Sequence, residues 1–207
     1  MTAGPKAERR RSCVVRVAAA AAVAAEVAAS AWGDETATRT ADERGIPDAA
    51  ALFFQNLKTL CGQKFEGATE FPDDPNHPLA GKKLTISFER CSEGEIRVPL
   101  QAGEDKSRTW ILTLSDNRLQ LKHDHRHPDG TPDKVTMYGG WATDGDALRQ
   151  RFSADEETAK MIPEAATNIW TIEMDAARER VTYALERHGQ PRYKAVFNLK
   201  PVALTAR

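Results

Sequence analysis

Arg118-Leu119-Gln120-Leu121-Lys122-His123-Asp124-His125-Arg126-His127 lies at the centre of a hairpin region spanning 108–140, and its reading decides the fold. Alternate side chains of a strand point to opposite faces. One face of this run carries Leu119, Leu121, His123, His125 and His127. The other carries Arg118, Gln120, Lys122, Asp124 and Arg126, and reads as a solvated face. The first face is an apolar stripe ending in three of the chain's five histidines. Such a strand leaves a core for a polar cavity or rim.

Period two continues on both sides. Strands are expected at 64–69, 83–90, 95–100, 108–114, 118–127, 134–141, 147–153, 168–175, 180–188 and 192–199. Their inward sets are Leu84, Ile86, Phe88; Ile96, Val98, Leu100; Trp110, Leu112, Leu114; Leu148, Phe152; Trp170, Ile172, Met174; Val181, Tyr183, Leu185; and Tyr193, Ala195, Phe197, Leu199. Trp141 also reads as a core residue. Ser115-Asp116-Asn117, Pro128-Asp129-Gly130, Asp144-Gly145 and His188-Gly189-Gln190-Pro191 supply turn chemistry between the runs. Short links imply antiparallel neighbours. Gly139-Gly140 within a strand marks a bulge or sharp bend. In the longest interruption, 153–167, Ser153 and Glu156 form a capping-box start for a short helix before Pro163.

Ahead of the strands, Pro47 and Asp48 open a helix whose apolar face is Ala49, Phe53, Leu57 and Leu60, with Gly62 as its left-handed stop. The helix suits one mouth of a barrel. The fold class is therefore all-β: an antiparallel up-and-down barrel of about ten strands with a short N-terminal helix. A Greek-key sandwich is the alternative, because pattern alone does not say which strands pair.

Leu60-Cys61-Gly62-Gln63-Lys64-Phe65-Glu66-Gly67, following a short helix, resembles the opening of calycin barrels, the lipocalin-like superfamily. Lipocalins start the first strand with Gly-x-Trp; here Phe65 stands three positions after Gly62 and no tryptophan is present. The meander over 64–200 is similar to the ten-stranded ligand-binding members. The resemblance implies a small-molecule ligand in the interior. Through the nitrobindin-like barrels it also implies haem held by a histidine. The whole chain resembles secreted bacterial proteins as well, a likeness that implies no activity.

Residues 1–31 differ from the rest. Arg9-Arg10-Arg11 precedes an alanine- and valine-rich run from Val14 to Ala25, and Ala29-Ser30-Ala31 precedes Trp32. That order is the order of a secretory signal peptide, interrupted by Arg16 and Glu26. An alanine-rich amphipathic helix is the alternative. The apolar run is too short to span a bilayer. Residues 32–45 read as a flexible N-terminus and 46–207 as a single barrel domain, secreted or periplasmic. Cleavage after Ala31 leaves Cys61 and Cys91, which pair as a disulfide in an oxidising compartment and stay free thiols otherwise.

Net charge is −1 with both signs spread along the chain, so the basic stripe of a nucleic-acid binder is missing. No Gly-x-Ser-x-Gly, phosphate loop or Cys-x-x-Cys occurs. His125-Arg126-His127-Pro128-Asp129 resembles part of a metallo-β-lactamase signature, but Gly130 replaces its last histidine. The cupin pattern fails too, with Asp129 where a glutamate belongs. No catalytic residue is assigned.

Candidate ligand-binding residues are His123, His125, Arg108 and Trp110. Arg108 shares phase with Trp110, and either binds a ligand carboxylate or closes the barrel end over an aromatic ring. His123, His125 and His127 are the candidate ligands of a divalent metal or haem, against a plain alternative of a strand end meeting water. Function therefore divides between a binding module and an envelope protein with a filled interior, whose surface meets a partner. A cavity of ~300 Å³ or more favours the first. Exported protein is predicted to begin at Trp32; N-terminal sequencing that finds residues 1–31 still attached would refute the leader.

Overall fold

The computed structural model describes residues 48–199; the leader, the segment 32–45 and Pro47 lie outside the described residues. Asp48 caps helix α1 (Ala49–Lys58), its Oδ1 accepting from Ala50 N at 3.1 Å. Eleven strands follow: β1 (Lys64–Phe71), β2 (Leu84–Ser87), β3 (Arg90–Cys91), β4 (Glu95–Ala102), β5 (Asp105–Ser115), β6 (Arg118–His125), β7 (Tyr138–Gly145), β8 (Arg149–Ala154), β9 (Ile169–Asp175), β10 (Arg180–Arg187) and β11 (Gln190–Asn198). A second helix, α2 (Glu156–Met161), lies between β8 and β9.

Each strand pairs antiparallel with its neighbours in a meander. The ring closes where β1 meets β11, with Gly67 opposite Phe197 and Thr69 opposite Ala195. The β2–β4 pairing completes ten strands, and β3 hangs on the lower part of β4. The result is a closed antiparallel barrel, compatible with a calycin-like fold, and not a sandwich.

One end, here the base, is plugged by α1. Phe53, Phe54 and Leu57 are buried there, each worth about 1.5–3 kcal/mol of transfer free energy. The buried face is thus Ala50, Phe53, Phe54 and Leu57, while Ala49 and Leu60 are only half-buried. Gly62, at φ +80°, turns the chain into β1, and its N–H donates to Phe88 O at 2.8 Å. Cys61 and Cys91 form a disulfide that fastens this turn to β3.

Several local expectations change. The strand expected over 83–90 breaks after Ser87 and resumes as β3. The strand expected over 134–141 begins only at Tyr138 and runs to Gly145. Met137 is left-handed at φ 58° and Arg126 bridges Pro132, so 126–137 leaves the ladder as an excursion. That excursion brings Thr136 Oγ1 to 3.1 Å from Asp124 Oδ1. On the same outward face α2 covers Lys122, whose ammonium pairs with Asp155 at 2.7 Å and Glu157 at 3.0 Å. Lys122 and Asp124 are therefore buried, not solvated. Leu148 is exposed in the β7–β8 turn, and Gln150 takes the inward place beside Phe152. Trp141 faces outward beneath the Arg118 guanidinium, 4.1 Å from its ring centre.

Asp155, not Ser153, caps α2 by accepting from Thr158 N at 3.0 Å. At Gly139-Gly140 the ladder with β6 runs without a bulge; the register shift lies beyond, between Ala142 and Asp144. Glycine is required for another reason. Thr158 Oγ1 bonds both the N–H and the carbonyl of Gly139, each at 2.7 Å. A Cβ on Gly139 would lie 1.9 Å from Leu121 O.

Replacing Cys91 by Ser opens a loop of 30-residue separation. Urea denaturation should then show a loss of about 3–4 kcal/mol. An unchanged midpoint would mean that the helix plug alone holds the base.

Candidate functional site

The other end of the barrel, the mouth, gathers the β1–β2, β4–β5, β6–β7, β8–β9 and β10–β11 connections. Inside it lies a cavity of about 180 Å³, lined by Trp110, His123, His125, Tyr138, Tyr183 and Tyr193 among others. His77 and Leu79 from the β1–β2 connection, with Leu100, Thr109, Leu185 and Arg108, complete the lining. Two larger depressions, of about 360 and 480 Å³, are surface grooves without aromatic walls.

Strand register builds the site. Trp110 on β5 stands opposite His123 on β6, which stands opposite Tyr138 on β7. The three side chains form one inward row. The far wall supplies Tyr183, whose ring stacks on Trp110 with centroids 4.5 Å apart. His123 is held at both nitrogens: Nδ1 lies 3.1 Å from Tyr138 O and Nε2 lies 2.8 Å from Tyr183 OH. A carbonyl only accepts, so Nδ1 carries the proton and Tyr183 donates to Nε2. His125, one step nearer the mouth, meets Tyr138 OH through Nε2 at 3.0 Å. Tyr193 OH lies 3.0 Å from Thr69 Oγ1, and its ring stacks on His77.

Burial governs the protonation states. It pushes His123 down to about 3, against the support of Tyr138 O, so the ring is neutral. His125 is lowered by burial and then by the Arg108 guanidinium, with Asp133, Asp124 and Asp105 opposing. Burial lifts Tyr138 to about 12 and Tyr183 well above its ordinary value. Arg108 is half-buried at the rim and forms an ion pair with Asp105. Burial raises the Asp105 carboxyl, but hydrogen bonds from Ser107 and Arg108 outweigh it and hold it low.

Of the residues expected from sequence, Trp110, His123, His125 and Arg108 come together around this cavity. His127 does not. It is exposed beyond the end of β6, where its N–H donates to Thr131 O. Tyr183 and Tyr193 belong to the inward sets read from the sequence, without a binding role, and Tyr138 and His77 have no role in that reading. Tyr138 had a signal, because it shares inward phase with Gly140 opposite Leu121. His77 sits in a connection with no periodicity to read.

The haem or metal expectation fails a test of fit. Both ring nitrogens of His123 are engaged and Nε2 of His125 is bonded to Tyr138. A cavity of about 180 Å³ is too small for a haem macrocycle. Among the described residues, no three His, Cys, Asp or Glu side chains are grouped to hold a metal. No helix among the described residues is long and apolar enough to cross a membrane. Comparison with protein-family models, curated proteins and solved structures finds no match in any of the three.

The buried imidazole links pH to stability. An unfolded chain protonates His123 near 6.5, whereas the folded chain resists until about 3. Stability from this neutral ring is complete above 6.5 and is lost as pH falls from there towards 3. The slope it adds is up to ~1.4 kcal/mol per pH unit. NMR of the folded protein should show no titration of the His123 ring near 6.5; a step there would place the ring in water.

Proposed function

We propose that the chain is an exported, calycin-like binding protein that takes a small, partly apolar ligand into the mouth of its barrel. The observation that carries this reading is the cavity itself, where aromatic faces and a few convergent polar groups meet at one end of a closed interior. Export is supported by the Cys61–Cys91 bridge, a bond that persists in oxidising compartments.

The size of the cavity limits the ligand. At about 180 Å³ it does not reach the ~300 Å³ that favours a binding module and at which pockets for drug-sized ligands begin. The reading therefore rests on the character of the lining and holds only for a smaller ligand. A cavity of ~150 Å³ accommodates benzene, so the occupant has on the order of ten non-hydrogen atoms. Affinities of ~0.1–1 mM suit a molecule of that size.

A second reading also has an observation in its favour. Below His123 the interior is filled by Phe65, Phe152, Trp170 and Phe197, as a barrel acting through its outer surface would be. Ligand-observed NMR with toluene, indole and phenol separates the two readings. The binding reading expects saturation transfer to at least one probe and its loss in Leu185→Trp, which fills the cavity while circular dichroism stays that of a folded barrel. Absence of transfer to all three would leave the filled-barrel reading.

A further inference from the structure

Two of the tyrosine hydroxyls around the cavity have fixed directions. Thr69 Oγ1 lies 3.2 Å from Leu79 O, a carbonyl that only accepts, so the Thr69 proton is committed there. Thr69 Oγ1 therefore accepts from Tyr193 OH. By the same logic Tyr183 donates to His123 Nε2, because Nδ1 gives its proton to Tyr138 O. Both tyrosine hydroxyls thus point their protons into the protein. What their oxygens have left is acceptor capacity alone.

The charges around the cavity narrow the choice further. His123 is neutral, and the Arg108 guanidinium is paired with Asp105 at the rim. An anion at depth would face oxygen lone pairs. A cation would share the cavity with a guanidinium. We infer that the cavity selects a small neutral aromatic molecule bearing an O–H or N–H donor, the smallest case being phenol, with the donor received by the Tyr183 oxygen. This inference rests on the reading of the cavity as a binding site. The ring of such a ligand packs among Trp110, Leu100 and Leu185, which supply the apolar wall.

The test uses the full-length protein and three probes of similar size: phenol, its methyl ether anisole, and benzoate. A net hydrogen bond corresponds to roughly fivefold or more in affinity, so phenol should exceed anisole by at least that factor, with benzoate weakest. Phenol should also move the ring signals of His123, whose Nε2 bonds to the receiving hydroxyl. With 4-nitrophenol, whose acid and anion differ in colour, added protein should lower the phenolate absorbance by holding the acid form. Equal affinity for phenol and anisole, or a rise in phenolate absorbance, would overturn the ligand class and leave the binding site standing. Phenol that binds without moving His123 sits elsewhere and overturns it too. If none of the three binds, this inference and the binding reading fall together.

Discussion

Pairing of β1 with β11 closes the sheet, and the site depends on that closure. His123 and Tyr183 are sixty residues apart, on strands separated by three others around the ring. Only a closed wall places the hydroxyl 2.8 Å from the imidazole. Trp110 and Tyr183 stack across the same interior. In an open sheet His123 would face water, protonate near its ordinary value, and lose its fixed tautomer. Closure also removes the edges that would invite pairing with another chain.

The barrel is divided along its axis. At the base, phenylalanines and aliphatic side chains from α1, β1, β2 and β11 fill most of the interior, and the inward amide there, Gln150, is satisfied by Asp146 O. Near the mouth Trp110 is joined by Tyr138, Tyr183 and Tyr193, each of which carries a hydroxyl that must find a partner when buried. They find them in His125, His123 and Thr69. The disulfide and the helix plug stabilise the half that contains no cavity. The half that contains one is held by hydrogen bonds.

Strand phase made the ring of strands and its inward rows legible, since two-residue periodicity is set by the half-buried sheet itself. It also placed His123, His125, Trp110 and Arg108 on one side. It could not show a second layer outside the barrel. Lys122 and Asp124 alternate like surface residues, yet α2 and the 126–137 excursion cover them. The same blindness to tertiary context misplaced Trp141, which packs beneath Arg118 on the outer face. Leu148 has the right phase for the core, but the chain is still turning at that point. Tyr138 shares the inward phase of its expected strand, but phase alone does not say which inward side chains line a cavity.

The chemical character of the mouth finally traces to two main-chain carbonyls. Tyr138 O fixes the proton of His123 on Nδ1, and Leu79 O fixes the proton of Thr69. Neither carbonyl can be changed by substituting its own side chain while the backbone keeps its course. Each sets the direction of one further bond, so Tyr183 and Tyr193 must both donate away from the cavity. Histidine suits position 123 because a neutral ring can donate at one nitrogen and accept at the other. Glutamine has the same two capacities, but on a freely rotating amide and without a flat face for Tyr138 and Trp170. The polarity of the cavity wall is thus a consequence of strand register at Tyr138 and of the course of the β1–β2 connection at Leu79. It is carried inward through one imidazole and one hydroxyl.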